Sequence, residues 1–266
     1  MLVKTVQVNT FKYAIDSVKD ILGEVSLVFH PDKGVIMPAV DAGKKAFVHL
    51  LLRAENFEIF RVDKQIVATF DIGHLYKIVK NVSSHSFDTL AMAVEDDMLK
   101  IHMENTTTSA SVSYDLRLVK DARTELDIPD IDYTVAFMID AREFARYLRD
   151  IQAVANIVKL SVKNKHVVLV ALGAMGKCKI RVPVAKTRTE TAPRRVQMKG
   201  VEFVLNDLPH GASVSGKYGV RYLTAFCKAA CLGGLMCMKI SQDMPVCCEY
   251  TVGSLGTLRF YLCPLT

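Results

Sequence analysis

The stretch REFARYLRDI, residues 142 to 151, puts Phe144, Tyr147, Leu148 and Ile151 at helical spacing and leaves Arg142, Arg146 and Arg149 on the other side. Three further stretches keep that period: Phe11, Ala14, Ile15, Val18, Ile21 and Leu22; Ile72, Leu75, Ile78 and Val79; and Val220, Leu223, Phe226, Cys227 and Ala230. Almost everything between them reads as strand. VSLVF, AFVHLLL, QIVATF, LAMAV, LKIHM, SASVSYDLRLV, YTVAFMI, VKLSV, HVVLVAL, CKIRV, VEFVL, MCMKI, VCCEYTV and LRFYL are short, rich in β-branched and aromatic residues, and bounded by turn signals. The order helix, strands, helix, strands therefore occurs twice, its second round starting near Tyr133. The expected fold is α+β: two similar domains, residues 1–117 and 134–266, each with two helices packed on antiparallel sheets. Residues 118–133 form the connector, charged, aperiodic and carrying Pro129. A single irregular α+β domain would need a long structureless loop there, which compact domains seldom tolerate.

Composition narrows the function classes. Half of the 266 residues are apolar, enough for a real core, yet no apolar run approaches the ~20 residues that span a bilayer. The opening MLVKTVQVNT lacks the basic and apolar parts of a signal peptide, so a location inside the cell and away from membranes is expected. All seven cysteines lie at or beyond Cys178, an odd number that suits reduced thiols better than a disulfide framework. Neither Cys227 and Cys231 nor the pair Cys247 and Cys248 has a histidine at ligand spacing, so no metal is expected. The one faint nucleotide signal, GAMGK at 173 to 177, fails as a phosphate loop because position 171 is Ala and position 178 is Cys. No nucleophile elbow, zinc helix or carboxylate pair beside a histidine is present, so neither catalytic residues nor a cofactor are expected and the chain reads as a non-enzyme.

The formal charge of +6 permits a polyanionic partner, and its placement is more telling. Lys12 and Lys19 on the first helix, Lys77 and Lys80 on the second, Arg142, Arg146 and Arg149 on the third, and Lys217, Arg221 and Lys228 on the fourth avoid the apolar faces. Asp16, Asp20, Glu143 and Asp150 temper two of the stripes. One such helix is an ordinary solvated surface. Four in matching positions make a lining suited to phosphates and indifferent to base sequence, and without exposed interleaved aromatics the expected ligand is double-stranded DNA.

Several stretches resemble the proliferating cell nuclear antigen (PCNA) family of DNA sliding clamps, over nearly the whole chain: LLLRAENFEIFRVD (50 to 63), SYDLRL with Tyr114, LDIPDIDY, EFARYLRDI (143 to 151), VRYLTAFCKAA (220 to 230), DMPVCCEYTV (243 to 252) and LRFYLCP. The resemblance implies a head-to-tail homotrimer with helices lining a central hole, threaded by DNA, serving as a polymerase processivity factor loaded by a separate clamp loader. It matches Lys12, Lys19, Lys77, Lys80, Arg146, Arg149, Arg221 and Lys228 to hole-lining positions; Arg142 and Lys217 are added from the helical pattern alone. It places the subunit contact between a strand with Ser109, Ser111, Ser113, Tyr114 and Arg117 and one with Lys177, Cys178, Lys179, Ile180, Arg181 and Val182. It also implies a groove for the short motifs of DNA polymerase and other clamp-binding proteins, formed by Val40, Phe47, Leu126, Ile128, Pro129, Tyr133, Pro245, Tyr261, Leu262, Cys263 and Pro264. The location it implies is the nucleus or a viral replication compartment.

Some residues depart from the family pattern. Lys44 and Lys45 add charge near the groove, residues 186 to 199 (KTRTETAPRRVQMK) are basic where acidic residues are usual, and Pro264-Leu265-Thr266 carries no acidic tail. These imply a divergent member of viral type. The competing readings keep the fold but make the chain a non-ring processivity factor bound through its basic face, or one subunit of a heterotrimeric checkpoint-type clamp.

Overall fold

The computed structural model describes residues 1–80, 87–119, 131–184, 200–209 and 211–265. The first half runs β1 (Leu2–Thr5), α1 (Val8–Val18), β2 (Glu24–His30), β3 (Gly34–Val40), β4 (Ala46–Leu52), β5 (Ile59–Arg61), β6 (Ile66–Asp71), α2 (Ile72–Val79), β7 (Thr89–Glu95), β8 (Met98–Glu104) and β9 (Ser111–Arg117). The second runs β10 (Val135–Asp140), α3 (Ala141–Gln152), β11 (Ile157–Lys163), β12 (His166–Gly173), β13 (Gly176–Val182), β14 (Val201–Asn206), β15 (Ser213–Gly219), α4 (Val220–Phe226), β16 (Leu235–Ile240), β17 (Val246–Val252) and β18 (Gly256–Leu262). Element for element, the second list repeats the first.

The chain divides into two compact units, Met1–Ile128 with Thr251–Arg259, and Pro129–Tyr250 with Phe260–Thr266. In the first unit one sheet is ordered β5-β1-β7-β8-β9, and a second run is β4-β3-β2-β6. In the second unit the order β14-β10-β16-β17-β18 and the sheet β13-β12-β11-β15 reproduce those two arrangements position by position. The described strand-to-strand ladders are antiparallel, and the two-residue turns Asp96-Asp97 and Asn164-Lys165 have positive φ at both centres, the geometry that matches the twist of a tight hairpin.

Each core follows from the periods. Phe11, Ala14, Ile15 and Val18 of α1 and Ile72, Leu75 and Val79 of α2 are at most 1 % exposed, as are Phe144, Leu148 and Ile151 of α3 and Val220, Leu223 and Phe226 of α4. α1 packs on α2, and α3 on α4. Phe226 stacks on Phe260 at 4.7 Å, with the Tyr250 ring edge-on to Phe260 at 6.1 Å, a pair of geometries aromatic quadrupoles favour.

Four strands, β1, β3, β5 and β15, are absent from the sequence reading. β3 carries Pro38, which ordinarily demotes a strand. Here Pro38 stands opposite His49 of β4, two residues beyond the recorded β2 pairing, which covers Gly34 to Ile36. β15, SVSGKYG, holds two glycines and two serines and is stabilised by pairing along its whole length with β11 rather than by propensity.

Candidate nucleic-acid interface, strand edges and partner groove

Local chemistry sets the start of two of the basic helices. The Asp140 carboxylate accepts from the N–H groups of Arg142 and Glu143, both at 2.9 Å, and Asp71 does the same for Gly73 and His74 at 2.7 and 3.2 Å. Arg142, Arg146 and Arg149 on α3, Lys77 on α2, Lys80 at its C-cap, Arg221 on α4 and Lys228 in the 3-10 turn Cys227–Cys231 are all exposed. Arg146 is tethered, 3.5 Å from Glu143 and 5.5 Å over the Tyr147 ring. The Tyr147 hydroxyl donates to Glu143, and burial together with that carboxylate pushes its pKa up to about 12.

Lys12 on α1 and Lys19 at its C-cap are only half-exposed. Lys19 lies 2.8 Å from Asp16, 3.3 Å from Asp20 and 4.7 Å over the ring of Tyr76 on α2. Desolvation alone would lower its pKa, but the bonds to Asp16 and Asp20 outweigh it and hold the ammonium above its ordinary value. No local pattern singles out Tyr76 as a contributor. Lys217 is a correction: expected on the fourth helix, it lies on β15, where it faces Lys159 of β11. The helical count ran backwards past the Gly219 cap into a strand whose glycines and serines conceal its period.

The two strands expected at a subunit contact are both sheet ends. β9 terminates β5-β1-β7-β8-β9 and β13 terminates β13-β12-β11-β15. Other ends are occupied or short: Thr69 of β6 accepts from Val119 N–H at 2.8 Å, Lys217 of β15 accepts from Leu265 N–H at 2.8 Å, Val201 of β14 bridges to Val184, and β5 has three residues. Among the described residues, β9 and β13 are the seven-residue edges with no recorded neighbour on the outer side. Ser111, Ser113, Tyr114 and Arg117 of β9 are exposed, as are Lys177, Lys179 and Arg181 of β13; Cys178 and Ile180 are half-buried and Val182 is buried. Ser109 precedes β9, in a turn where its φ is 56°.

Two family models match, one described as the N-terminal domain of proliferating cell nuclear antigen over residues 1–126 and the other as its C-terminal domain over residues 127–265. The chain belongs to the proliferating cell nuclear antigen family. It is 26% identical over 258 residues to proliferating cell nuclear antigen from Chaetomium thermophilum, covering 97% of this chain and 95% of that protein. It is 24% identical over 264 residues to probable DNA polymerase sliding clamp 1 of Paramecium bursaria Chlorella virus 1, covering 99% of this chain and 96% of that protein. At these identities the expectation of a divergent member stands within the PCNA family, and no helix among the described residues is long and apolar enough to cross a membrane.

The positions that the PCNA family resemblance assigned to a partner groove fall into two groups. In the first unit Val40 and Phe47 are register partners across β3 and β4, both half-buried on the face that also carries Pro38 and His49. In the second unit the Tyr133 hydroxyl donates to the Pro245 carbonyl at 3.0 Å, and burial raises the Tyr133 pKa far above the ordinary phenol value. Tyr261 and Pro264 are half-buried and Cys263 exposed, whereas Leu262 is 2 % exposed and belongs to the core. Leu126, Ile128 and Pro129 lie outside the described residues, as does 186 to 199. Sequence reasoning missed Ser241, which anchors the connector's end: its hydroxyl donates to the Asp132 carbonyl at 3.1 Å and accepts from Thr134 N–H at 2.8 Å.

Proposed function

We propose that this chain is the subunit of a DNA sliding clamp, a DNA polymerase processivity factor, three copies of which close head to tail around duplex DNA. The observation that carries the ring is the pair of long strands with open outer edges, β9 at the end of one sheet and β13 at the end of another. Two unlike edges let one copy meet the next head to tail, and heterologous contacts of that kind close into rings when the rotation permits. Edges so paired are also removed as templates for aggregation. The domain division that accompanies this reading is 1–117, connector 118–133 and 134–266.

Lys12, Lys19, Lys77, Lys80, Arg142, Arg146, Arg149, Arg221 and Lys228 then supply a diffuse, sequence-independent attraction for phosphates that centres the duplex without fixing it. Val40, Phe47, Tyr133, Pro245, Tyr261 and Pro264 are proposed to take the apolar anchors of partner motifs, with the connector supplying backbone contacts. The protein acts as a scaffold in the nucleus or a viral replication compartment, and a separate loader opens the ring. Light scattering across a dilution series tests the assembly. A mass of about 89 kDa, three times 29.6 kDa, is expected; a concentration-independent 29.6 kDa overturns the ring.

A further inference from the structure

The sheet β13-β12-β11-β15 has two unlike faces. One is core: Val158, Leu160, Val162, Val167, Leu169 and Ala171 are at most 1 % exposed. The other carries Lys159, Lys163, Lys177, Lys179, Arg181 and Lys217, all exposed, and its remaining positions on these strands are Ile, Leu, Val, His, Ser and Gly, with no Asp or Glu.

Register arranges these cations in two directions. Across the sheet, Lys217 stands opposite Lys159, Lys159 opposite Val170, and Val170 opposite Lys179. At the ordinary strand spacing that row is about 14 Å long. Along β13, Lys177, Lys179 and Arg181 follow at two-residue steps of ~6.7 Å. Like charges directly opposite destabilise a sheet, and among the described residues none of the six cations has an ion-pair partner. A bound polyanion would relieve that repulsion.

We infer that this face is a second phosphate-binding surface, for double-stranded nucleic acid. Lysines and the intervening hydroxyls of Ser161, Ser213 and Ser215 contact phosphate without reading base edges. The face has no Phe, Tyr or Trp on which an unpaired base would stack. A charge array drawn from three strands and spread across the width of a four-stranded sheet fits the two phosphate rows of a duplex better than one extended acidic segment, which a single strand's row would satisfy. α3 touches β13 and α4 touches β15, and the sheet's core side lies inward, so this surface is distinct from the helix-borne cations. A strand added at the β13 edge would extend the sheet and leave the face open, so the inference rests on the sheet and not on ring closure.

The test is fluorescence anisotropy of a short labelled duplex over a salt series, with circular dichroism confirming the fold of each variant. Lys159→Gln/Lys163→Gln/Lys217→Gln leaves β13 untouched. Three lost phosphate contacts should lower the slope of log affinity against log salt by about 3, and the matching Lys→Arg triple should restore it. Lys77→Gln/Arg149→Gln/Arg221→Gln, which reports on the helices, should keep a salt-dependent residue of binding that the first triple then lowers further. A lysine-reactive label on the wild-type chain should be blocked at Lys159, Lys163 and Lys217 by the duplex, a readout that needs no variant to fold. An unchanged slope in the first triple overturns the inference, as does labelling of these lysines that the duplex leaves unprotected. So does capture of a labelled polyglutamate peptide that the triple abolishes while duplex binding stays at the wild-type value, since the face would then belong to an acidic protein.

Discussion

At the scale of single residues, His49 shows how far environment can move a side chain that the sequence leaves unremarkable. It is half-buried on β4, its Nδ1 has no hydrogen-bond partner among the described residues, and burial first, then the charge of Arg259, lowers its pKa from 6.5 to about 4. The folded protein therefore holds it neutral where the unfolded chain would accept a proton. The stability this contributes is fully present above pH 6.5 and is lost as the pH falls toward 4. Allowing for partial exposure, the loss should be on the order of 2 kcal/mol. Denaturant titrations at several pH values should show wild type losing that amount and His49→Gln losing correspondingly less; parallel curves would refute the assignment.

At the scale of elements, the cap and the edge matter most. Asp140 is 8 % exposed and bonds two N–H groups of α3, the helix with three exposed arginines. Asp140→Ala should cost about 1–2 kcal/mol and lower the melting midpoint by about 2–4 °C, read by thermal denaturation. Tyr114, 39 % exposed on β9, is the large apolar side chain on an otherwise serine-rich edge. Tyr114→Ala should leave the circular dichroism spectrum unchanged while shifting the scattering mass toward 29.6 kDa at dilutions where the wild type stays assembled. The helices were legible because an apolar face at period 3.6 survives in Phe144, Leu148 and Ile151 whatever surrounds it. β15 was not, because its order comes from β11, a partner distant in sequence, and so Lys217 was placed on the wrong element.

At the scale of the whole molecule, topology should govern retention. A clamp that encircles DNA should load on closed circular DNA only with a loader and ATP, then stay bound through a salt wash and leave when the circle is cut. Gel filtration of labelled protein with circular and linearised DNA checks this; equal release from both forms would favour direct binding through a basic surface. The basic sheet face predicts in addition a salt-sensitive fraction that cutting does not release.

By itself the sequence determined the α+β class, the duplicated order of elements, the four helices with their basic faces, and the resemblance that the family models bear out. It could do so because periodicity, turn residues and local charge are properties of neighbours along the chain. The tertiary structure decided which strands end their sheets, that Tyr76 lies beneath Lys19, that Leu262 belongs to the core, and that six cations from three strands share one face without an acidic residue. Those are matters of register between segments far apart in sequence, fixed by backbone pairing and burial, and no local pattern encodes them.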